Sequence, residues 1–521
     1  MPVQVSYPGV YIEEIPSGVR TITGVATSIA AFIGRALKGP VDEPVVINGF
    51  GDFERVFGGS WAESSLGPAV QDFFQNGGGQ AIVVRLYHDT AGKPSTAELD
   101  AGGLPLEAVS QGAWGNTLRA RVDDEVSQEI ADKLGLPKAK LFNLTVHDTL
   151  TGVTEKFLNL TVENTSHRAD DALSNSSRLV RVKGALPANV PVKHAAPAAG
   201  KGIWDDDNAS SKVAAPAVDG DALQQDDFTG AGKEGAKKGL YALQKADLFN
   251  ILCIPPYKEG DVDADLVGKA AKYCEDRRAM LLVDPPSTWD DKDDAKAGIA
   301  AVGTNSKNAA LFFPRLRRPN PSRGGVVEDY APCGAVAGVF ARTDTQRGVW
   351  KAPAGLDATL VGVPELSVPL TDAENGELNP LGINCLRVKP AVGRVVWGSR
   401  TLQGNDILAS EWKYIPVRRL ALFIEESLYR GTQWVVFEPN DEPLWAQIRM
   451  NVGAFMHNLF RQGAFQGASA RDAYLVKCDR ETTTQNDINL GIVNIVVGFA
   501  PLKPAEFVIV KIQQLAGQIA T

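Results

Sequence analysis

The sequence predicts a multidomain α/β protein with a discontinuous α/β core, a β-rich insertion, a C-terminal α+β domain, and extended N- and C-terminal β-arms. Three observations carry this prediction. Two separated stretches of chain alternate strand-like and helical segments, which is typical of a parallel sheet covered on both faces. The stretch between them has short alternating segments broken by Gly, Asn, Asp and Ser. Both ends of the chain are apolar and rich in strand-favouring residues.

An N-terminal arm is predicted over residues 1–20. Residues 3–7 alternate apolar and polar side chains, a Pro-Gly pair interrupts them, and residues 10–12 resume the pattern. Alternation with a period of two indicates a strand that is covered on one face. The side chains expected to link subunits are Val3, Val5, Tyr7, Val10 and Ile12.

A C-terminal arm is predicted over residues 504–521. Residues 505–512 are apolar on nearly both faces, which indicates a strand buried on both sides. Chain ends are usually poorly ordered unless something ties them down, so apolar ends indicate arms that add to other sheets. Pairing within the arm's own domain is the alternative. The candidate linking residues are Phe507, Val508, Ile509, Val510 and Ile512.

The core α/β domain is predicted from two parts of the chain, residues 21–95 and 236–350, with 351–380 as a connector. Apolar runs and helical spacing define its elements. Its strands are expected over 21–36, 45–47, 81–86, 248–254, 279–284 and 309–313. Its helices are expected over 64–76 and 264–278.

The β-rich insertion is predicted over residues 96–235. Short alternating segments in its first half indicate an all-β module. The strands expected there are 118–122, 141–146, 157–162 and 179–182. Residues 186–235 are rich in Ala, Pro, Gly, Asp and Lys, a composition that predicts a loose linker.

The C-terminal domain is predicted over residues 381–503. It is expected to contain a strand at 394–397, amphipathic helices at 414–428 and 443–460, and a glycine-interrupted strand at 488–498.

Composition excludes several classes of protein. The formal net charge of −9 over 521 residues argues against a general binder of nucleic acid or anionic membranes, whose binding surfaces are basic. No apolar run is long enough to span a bilayer, and no secretion signal is visible at the start. The five cysteines are widely spread without a CxxC pair, which indicates buried thiols in a reducing compartment.

Motifs for catalysis or cofactor binding are missing from the sequence. No phosphate-binding loop, HExxH or GxSxG pattern occurs, and the glycines at 77–79 precede a strand instead of opening a helix. Asp284 ends a predicted strand and is a candidate site residue, but the proline pair that follows it suits a rigid strand exit. We therefore expect a protein that is not an enzyme and has no cofactor and no metal.

Two charged clusters admit two interpretations. They are either a solvated face or complementary ionic patches between subunits, which would set specificity more than affinity. The residues concerned are Arg342, Asp344, Arg347, Arg418, Arg419, Glu425 and Glu426.

Several long motifs in order resemble those of contractile phage tail sheath proteins. The first is residues 7–20, Tyr-Pro-Gly-Val-Tyr-Ile-Glu-Glu-Ile-Pro-Ser-Gly-Val-Arg, followed by residues 24–34. Further similar segments are 76–85, 112–116, 338–353, 384–401 and 414–440. The resemblance covers roughly 1–120 and 236–521 and is weak across 121–235.

This resemblance implies a subunit that stacks as helically arranged hexameric rings around an inner tube, with baseplate and terminal cap proteins as further partners. The arms, at 3–15 and 507–512, would join strands in neighbouring subunits. The C-terminal domain would lie against the tube, which makes the helix at 443–460 a candidate tube-facing element, with plain domain core as the alternative. Its candidate residues are Trp445, Ile448, Arg449, Val452, Met456 and Arg461.

The sequence thus predicts a structural, self-assembling protein of a phage tail, an R-type bacteriocin or a related contractile injection system. It would contract to drive the tube through a target envelope. Assembly in the bacterial cytoplasm is expected, without direct nucleic-acid contact or membrane insertion. A static lattice or capsid-like protein is the alternative.

Overall fold

Strands from the first part of the chain begin a large mixed sheet. The computed structural model describes residues 20–258 and 260–511. The elements of this first part are β1 (Ala30–Arg35), β2 (Pro44–Ile47), α1 (Phe50–Phe57), α2 (Leu66–Gln75) and β3 (Ala81–Leu86). β1 and β3 are parallel, and β2 pairs antiparallel with β3 at the edge of the sheet.

The chain then builds a separate seven-stranded sheet in the order β8-β7-β6-β10-β4-β5-β9, whose pairs are antiparallel. Its elements are β4 (Glu98–Ala101), β5 (Leu104–Ala108), β6 (Leu118–Asp123), α3 (Gln128–Leu134), β7 (Leu141–Asp148), β8 (Thr154–Thr161), α4 (Ala169–Ser176), β9 (Val180–Val182) and β10 (Ser211–Ala215).

The expectation of a loose linker over residues 186–235 is wrong. β10 lies in the middle of the seven-stranded sheet, between β6 and β4. The side chain of Arg119 donates to the carbonyl of Ser210 at 2.7 Å, and that of Arg121 donates to the carbonyl of Ala209 at 2.6 Å. Small residues fit between paired strands when their backbone groups are satisfied in this way, so composition alone misassigned the segment.

After the insertion the chain returns to the first sheet and completes it as eight strands in the order β18-β17-β13-β12-β11-β1-β3-β2. The elements are α5 (Gln225–Thr229), β11 (Ile251–Cys253), α6 (Ala264–Asp276), β12 (Met280–Val283), α7 (Lys292–Gly298), β13 (Ala309–Phe313), β14 (Leu316–Asn320), β15 (Val326–Tyr330), α8 (Cys333–Arg347), β16 (Glu365–Leu366), α9 (Asp372–Leu378), β17 (Ile383–Lys389) and β18 (Gly393–Val396). β14, β15 and β16 form a small sheet of their own.

The start of the C-terminal domain was expected at residue 381, and this boundary needs correction. β17 pairs parallel with β13, and β18 pairs antiparallel with β17, so residues 383–396 close one edge of the core sheet.

The core sheet is buried on both faces, as its central parallel strands require. Phe32 of β1 packs into the cluster beneath α2 and α8, while its neighbours Ala31 and Ile33 pack into the cluster on the opposite face with α6. α8 approaches α2 so closely at Gly334 that a Cβ there would collide with the carbonyl oxygen of Ala69. Because both faces are buried, alternate side chains of β1 pack into opposite core clusters, which fixes the register of the strand.

The C-terminal elements form a helical layer against a hairpin. They are α10 (Ile415–Gly431), α11 (Glu442–Arg461), α12 (Ala470–Ala473), β19 (Tyr474–Lys477), α13 (Gln485–Asn489) and β20 (Val496–Phe499). The strand expected over 488–498 is therefore shorter, since α13 ends in a turn at Gly491 with a φ of 73°. Among the described residues, no helix is both long and apolar enough to cross a membrane.

Candidate assembly interface

The described C-terminal segment, residues 502–511, is hydrogen-bonded to the body of the protein through the carboxylate of Glu506. Glu506 accepts hydrogen bonds from Nε and Nη2 of Arg400, each at 2.7 Å, and from the amide of Asn379 at 2.8 Å. The hydroxyl of Tyr414 donates to it at 3.1 Å. Burial opposes ionisation of Glu506, but these donors outweigh it and hold its pKa below the ordinary value.

Beyond this anchor the chain is apolar and exposed. Residues 502–511 belong to no strand, and the side chains of residues 507–510 are between 73% and 83% exposed. Three of these four are β-branched, so the segment combines strong strand propensity with unpaired backbone groups. Ile512 and the N-terminal linking residues lie outside the described residues.

The hairpin of β19 and β20 offers edges to which such a segment could add. The two strands pair only with each other in the part of the chain that the structure describes. α11 packs against β19, while Leu475 and Val496 remain exposed. A two-stranded sheet is marginal by itself and gains stability from further strands, so the hairpin is suited to accept them.

The apolar face of α11 cannot contact a partner, which corrects the expectation that it faces a tube. Trp445, Ile448, Val452 and Met456 are all buried in the core between α10, α11 and the hairpin. Arg449 is partly exposed and pairs with Glu442 at 2.6 Å. The apolar stripe of this helix packs in the core of its own domain and is therefore not available to bind a partner.

The opposite side of α11 is open to solvent. It carries Met450, His457 and Arg461, spaced about one turn or two apart. Arg461 is thus the one exposed member of the predicted tube-facing set.

Most of the charged residues predicted to form patches between subunits instead join two parts of the same chain. Arg419 of α10 pairs with Asp344 of α8 at 2.6 Å, and both side chains are 3% exposed. Arg418 pairs with Glu425 at 3.1 Å on the same helix. Arg418, Arg419 and Asp344 are buried in intrachain contacts and are not available for a patch between subunits, whereas the side chain of Glu425 is 43% exposed.

Of the remaining charged residues, Glu426 and Arg342 contact other parts of the same chain, and Arg347 is exposed. Glu426 accepts from Arg278 at 2.8 Å, which ties α10 to the end of α6. Arg342 donates to the carbonyl of Thr359 at 2.7 Å. Like Glu425, Arg347 has an exposed side chain, which is 61% exposed and lies 3.9 Å from Asp357.

Sequence reasoning missed the anchor itself. Arg400 lies in the motif at residues 396–401 that resembles sheath proteins, and Glu506 is the single acid in the apolar run 505–510. An acid placed alone in an otherwise apolar terminal strand is the signal that could have identified it, since a buried carboxylate requires a cationic partner.

Within 20–258 and 260–511 there is no cluster of three His, Cys, Asp or Glu side chains able to hold a metal ion. Asp284 is buried and accepts from the backbone N–H of Cys333 at 2.8 Å, so it caps the start of α8. Burial raises its pKa to about 6.

Two family models match the chain. The phage tail sheath protein central domain matches residues 229–402, and the phage tail sheath C-terminal domain matches residues 409–514. Together they account for more than half of the chain. A putative prophage major tail sheath protein of Pseudomonas aeruginosa is 24% identical over 291 residues, which are 53% of this chain and 69% of that protein.

Solved structures share the fold over nearly the full length. The helical sheath of the anti-feeding prophage in its contracted state has a TM-score of 0.58 and 24% identity, with 98% of this chain and 100% of that chain covered. The sheath of the PVC extracellular contractile injection system, also contracted, has a TM-score of 0.57 and 21% identity, with 98% of each chain covered. With both domain models matching, the chain belongs to the phage tail sheath protein family, a family of structural proteins and not of enzymes.

Proposed function

We propose that the protein polymerises as stacked hexameric rings around an inner tube and contracts to drive that tube through a target envelope. The observation that carries this proposal is the exposed apolar segment at 507–510, held to the body at Glu506 and left without a partner strand within residues 20–258 and 260–511. A segment of this kind is costly to leave in water and suited to pair with another subunit.

The linking strands of this proposal are residues 3–15 and 507–512, and the acceptor is the β19–β20 hairpin of a neighbour. Each backbone hydrogen bond in an added strand contributes about 0.5–1.5 kcal/mol net. A strand of several residues would therefore hold neighbours together while the bodies between them reorient. The open edges of the hairpin support this assignment.

Contraction would be a switch between two packings of the same subunit. Packed interfaces switch between discrete arrangements, so the energy of contraction can be stored at assembly without nucleotide hydrolysis. Two solved sheaths with this fold are described in a contracted state. In our proposal the C-terminal domain faces the tube through the exposed side of α11, at Met450, His457 and Arg461, and the seven-stranded insertion projects outward.

The partners and the place of assembly follow from this architecture. The inner tube, baseplate and terminal cap proteins would assemble with the sheath in the bacterial cytoplasm, as part of a phage tail or a tail-like particle. The alternative, a static lattice or capsid-like protein, would use the same arms but would require neither tube nor baseplate.

Proline substitutions test the arm without disturbing the body. Val508 and Val510 are exposed, so V508P/V510P removes two backbone donors from the arm and leaves the anchor at Glu506 intact. We expect a folded variant with wild-type thermal unfolding that forms no sheath in the presence of tube and baseplate proteins. The matched variant V508T/V510T keeps β-propensity and should assemble. Normal tubes from the proline variant would overturn the proposal.

A further inference from the structure

The loop at residues 404–411 places two large apolar side chains in solvent. Ile407 is 88% exposed and Leu408 is 51% exposed. More than half of each residue's surface lies in solvent, and an adjacent apolar pair of this kind is a surface on which a partner can bury apolar area.

The shape of this loop is fixed by its polar groups. The side chain of Asn405 accepts from the backbone N–H of Ile407 at 2.9 Å, and Asp406 pairs with Lys413 at 2.6 Å. The hydroxyl of Ser410 donates to the side chain of Gln403 at 3.0 Å. The polar side chains are therefore turned toward the body, and the apolar pair is held outward instead of hanging free.

The loop and the C-terminal segment bind the same arginine side chain, Arg400. Nη1 of Arg400 pairs with Asp406 at 3.0 Å and donates to the carbonyl of Gly404 at 3.1 Å, while Nε and Nη2 of the same guanidinium bind Glu506. The side chain of Arg400 is 1% exposed. The loop and the C-terminal segment are therefore both held to the body by the buried guanidinium of Arg400.

We propose that the loop at 404–411 docks, through Ile407 and Leu408, against a second copy of this chain, the same copy that receives the C-terminal segment. The inference rests on the proposed function. If residues 507–510 add to a neighbour's sheet, that neighbour must lie close to Glu506, and the loop, which binds the same guanidinium through Asp406, lies beside it. The contact is heterologous, because the loop of one copy meets a different surface of the next, which suits rings and helices.

The test compares polymerisation of I407S/L408S with the wild type and with a matched control. L150S replaces another aliphatic residue, 77% exposed, in the turn between β7 and β8 of the insertion. We expect I407S/L408S to unfold at the wild-type temperature and to need at least about tenfold more protein to form sedimenting polymer, since the buried apolar area is lost. L150S should stay within about twofold of the wild type.

A photo-activated crosslinking residue at position 407 identifies the occupant directly. In assembled particles we expect a covalent dimer of this chain, linked from position 407. Crosslinks to the tube protein alone, or polymerisation of I407S/L408S at wild-type concentration, would overturn the docking proposal and leave the sheath function standing. A wild-type protein that forms no polymer with its tube and baseplate proteins would instead overturn the sheath function and this inference together.

Discussion

Glu506 and Arg400 form a two-point ion pair, 2.7 Å on each side, at the place where the C-terminal segment leaves the body. The guanidinium is almost fully buried, and it meets the carboxylate across more than one hundred residues of intervening chain. Residues 507–510, directly after this pair, are exposed. The pair thus separates the folded body from the part of the chain that can serve a neighbour.

Removal of this anchor should weaken assembly more than folding. E506A leaves Arg400 with Asp406 as its only acid, and the lost charged hydrogen bonds cost about 2 kcal/mol locally. We expect faster hydrogen exchange in peptides covering 500–506 and a lower yield of polymer. The control is E125A, at an exposed glutamate of the insertion. Unchanged exchange in E506A would show that the segment is positioned by other contacts.

The buried pair of Asp344 and Arg419 should be essential for holding α10 against α8. D344A leaves an unpaired buried guanidinium, so we expect the free energy of unfolding to fall by about 3–5 kcal/mol in denaturant titrations. R347A, at an exposed arginine on the same helix, should change it by about 0.5 kcal/mol or less.

An apolar replacement of both partners completes this test. D344L/R419M removes both charges, and we expect it to recover most of the loss seen in D344A. A D344A variant as stable as the wild type would mean that α10 does not depend on the pair.

Asp284 should make the protein less stable as the pH rises through the weakly acidic range. Burial raises its pKa to about 6 from an ordinary value of 3.8, so the folded state binds the proton more tightly than the unfolded state. Its contribution is therefore most favourable below pH 3.8 and is lost as the pH rises to about 6.

The variant D284N isolates this effect. Asparagine keeps an acceptor for the N–H of Cys333 but does not ionise. Between pH 4 and pH 7 the wild type should lose about 2 kcal/mol of stability relative to D284N, measured by denaturant unfolding at each pH. Parallel pH profiles for the two proteins would contradict the assignment.

The insertion should be removable as a unit. The backbone N–H of Asp221 donates to the carbonyl of His88 at 3.0 Å, so the chain leaves and re-enters the core at adjacent positions. Deletion of residues 90–219 with a short Gly-Ser linker should leave a cooperatively folded core that still polymerises. A folded deletion variant that forms no polymer would show that the insertion carries an essential contact between subunits.

Sequence patterns predicted the helices and strands of the fold better than they predicted which strands pair with each other. The helix expected over 64–76 is α2, and the strand expected over 309–313 is β13, because burial on one or both faces leaves a periodic pattern in the sequence. The pairing of β18 with the core sheet, and of β10 with β6, depends on contacts between distant residues that no local pattern records.

The apolar part of the candidate interface could be identified from the sequence, but the charged contacts beside it could not. The run from Phe507 to Val510 is visible as an unusual apolar, strand-favouring pattern near the C-terminus. The charged residues were harder to interpret, because Arg419 and an exposed arginine such as Arg347 look alike until the structure shows which one is buried. Burial decides whether a charge serves the fold or a partner, and burial of a charge has no sequence signature of its own.

Electron microscopy of particles assembled from this chain with its tube and baseplate proteins, before and after triggering, tests the central claim most directly. A contractile sheath predicts ringed hollow cylinders around a tube in two populations, one long and narrow and the other short and wide. Cylinders or sheets of one length and diameter under every condition would contradict contraction and favour a static lattice.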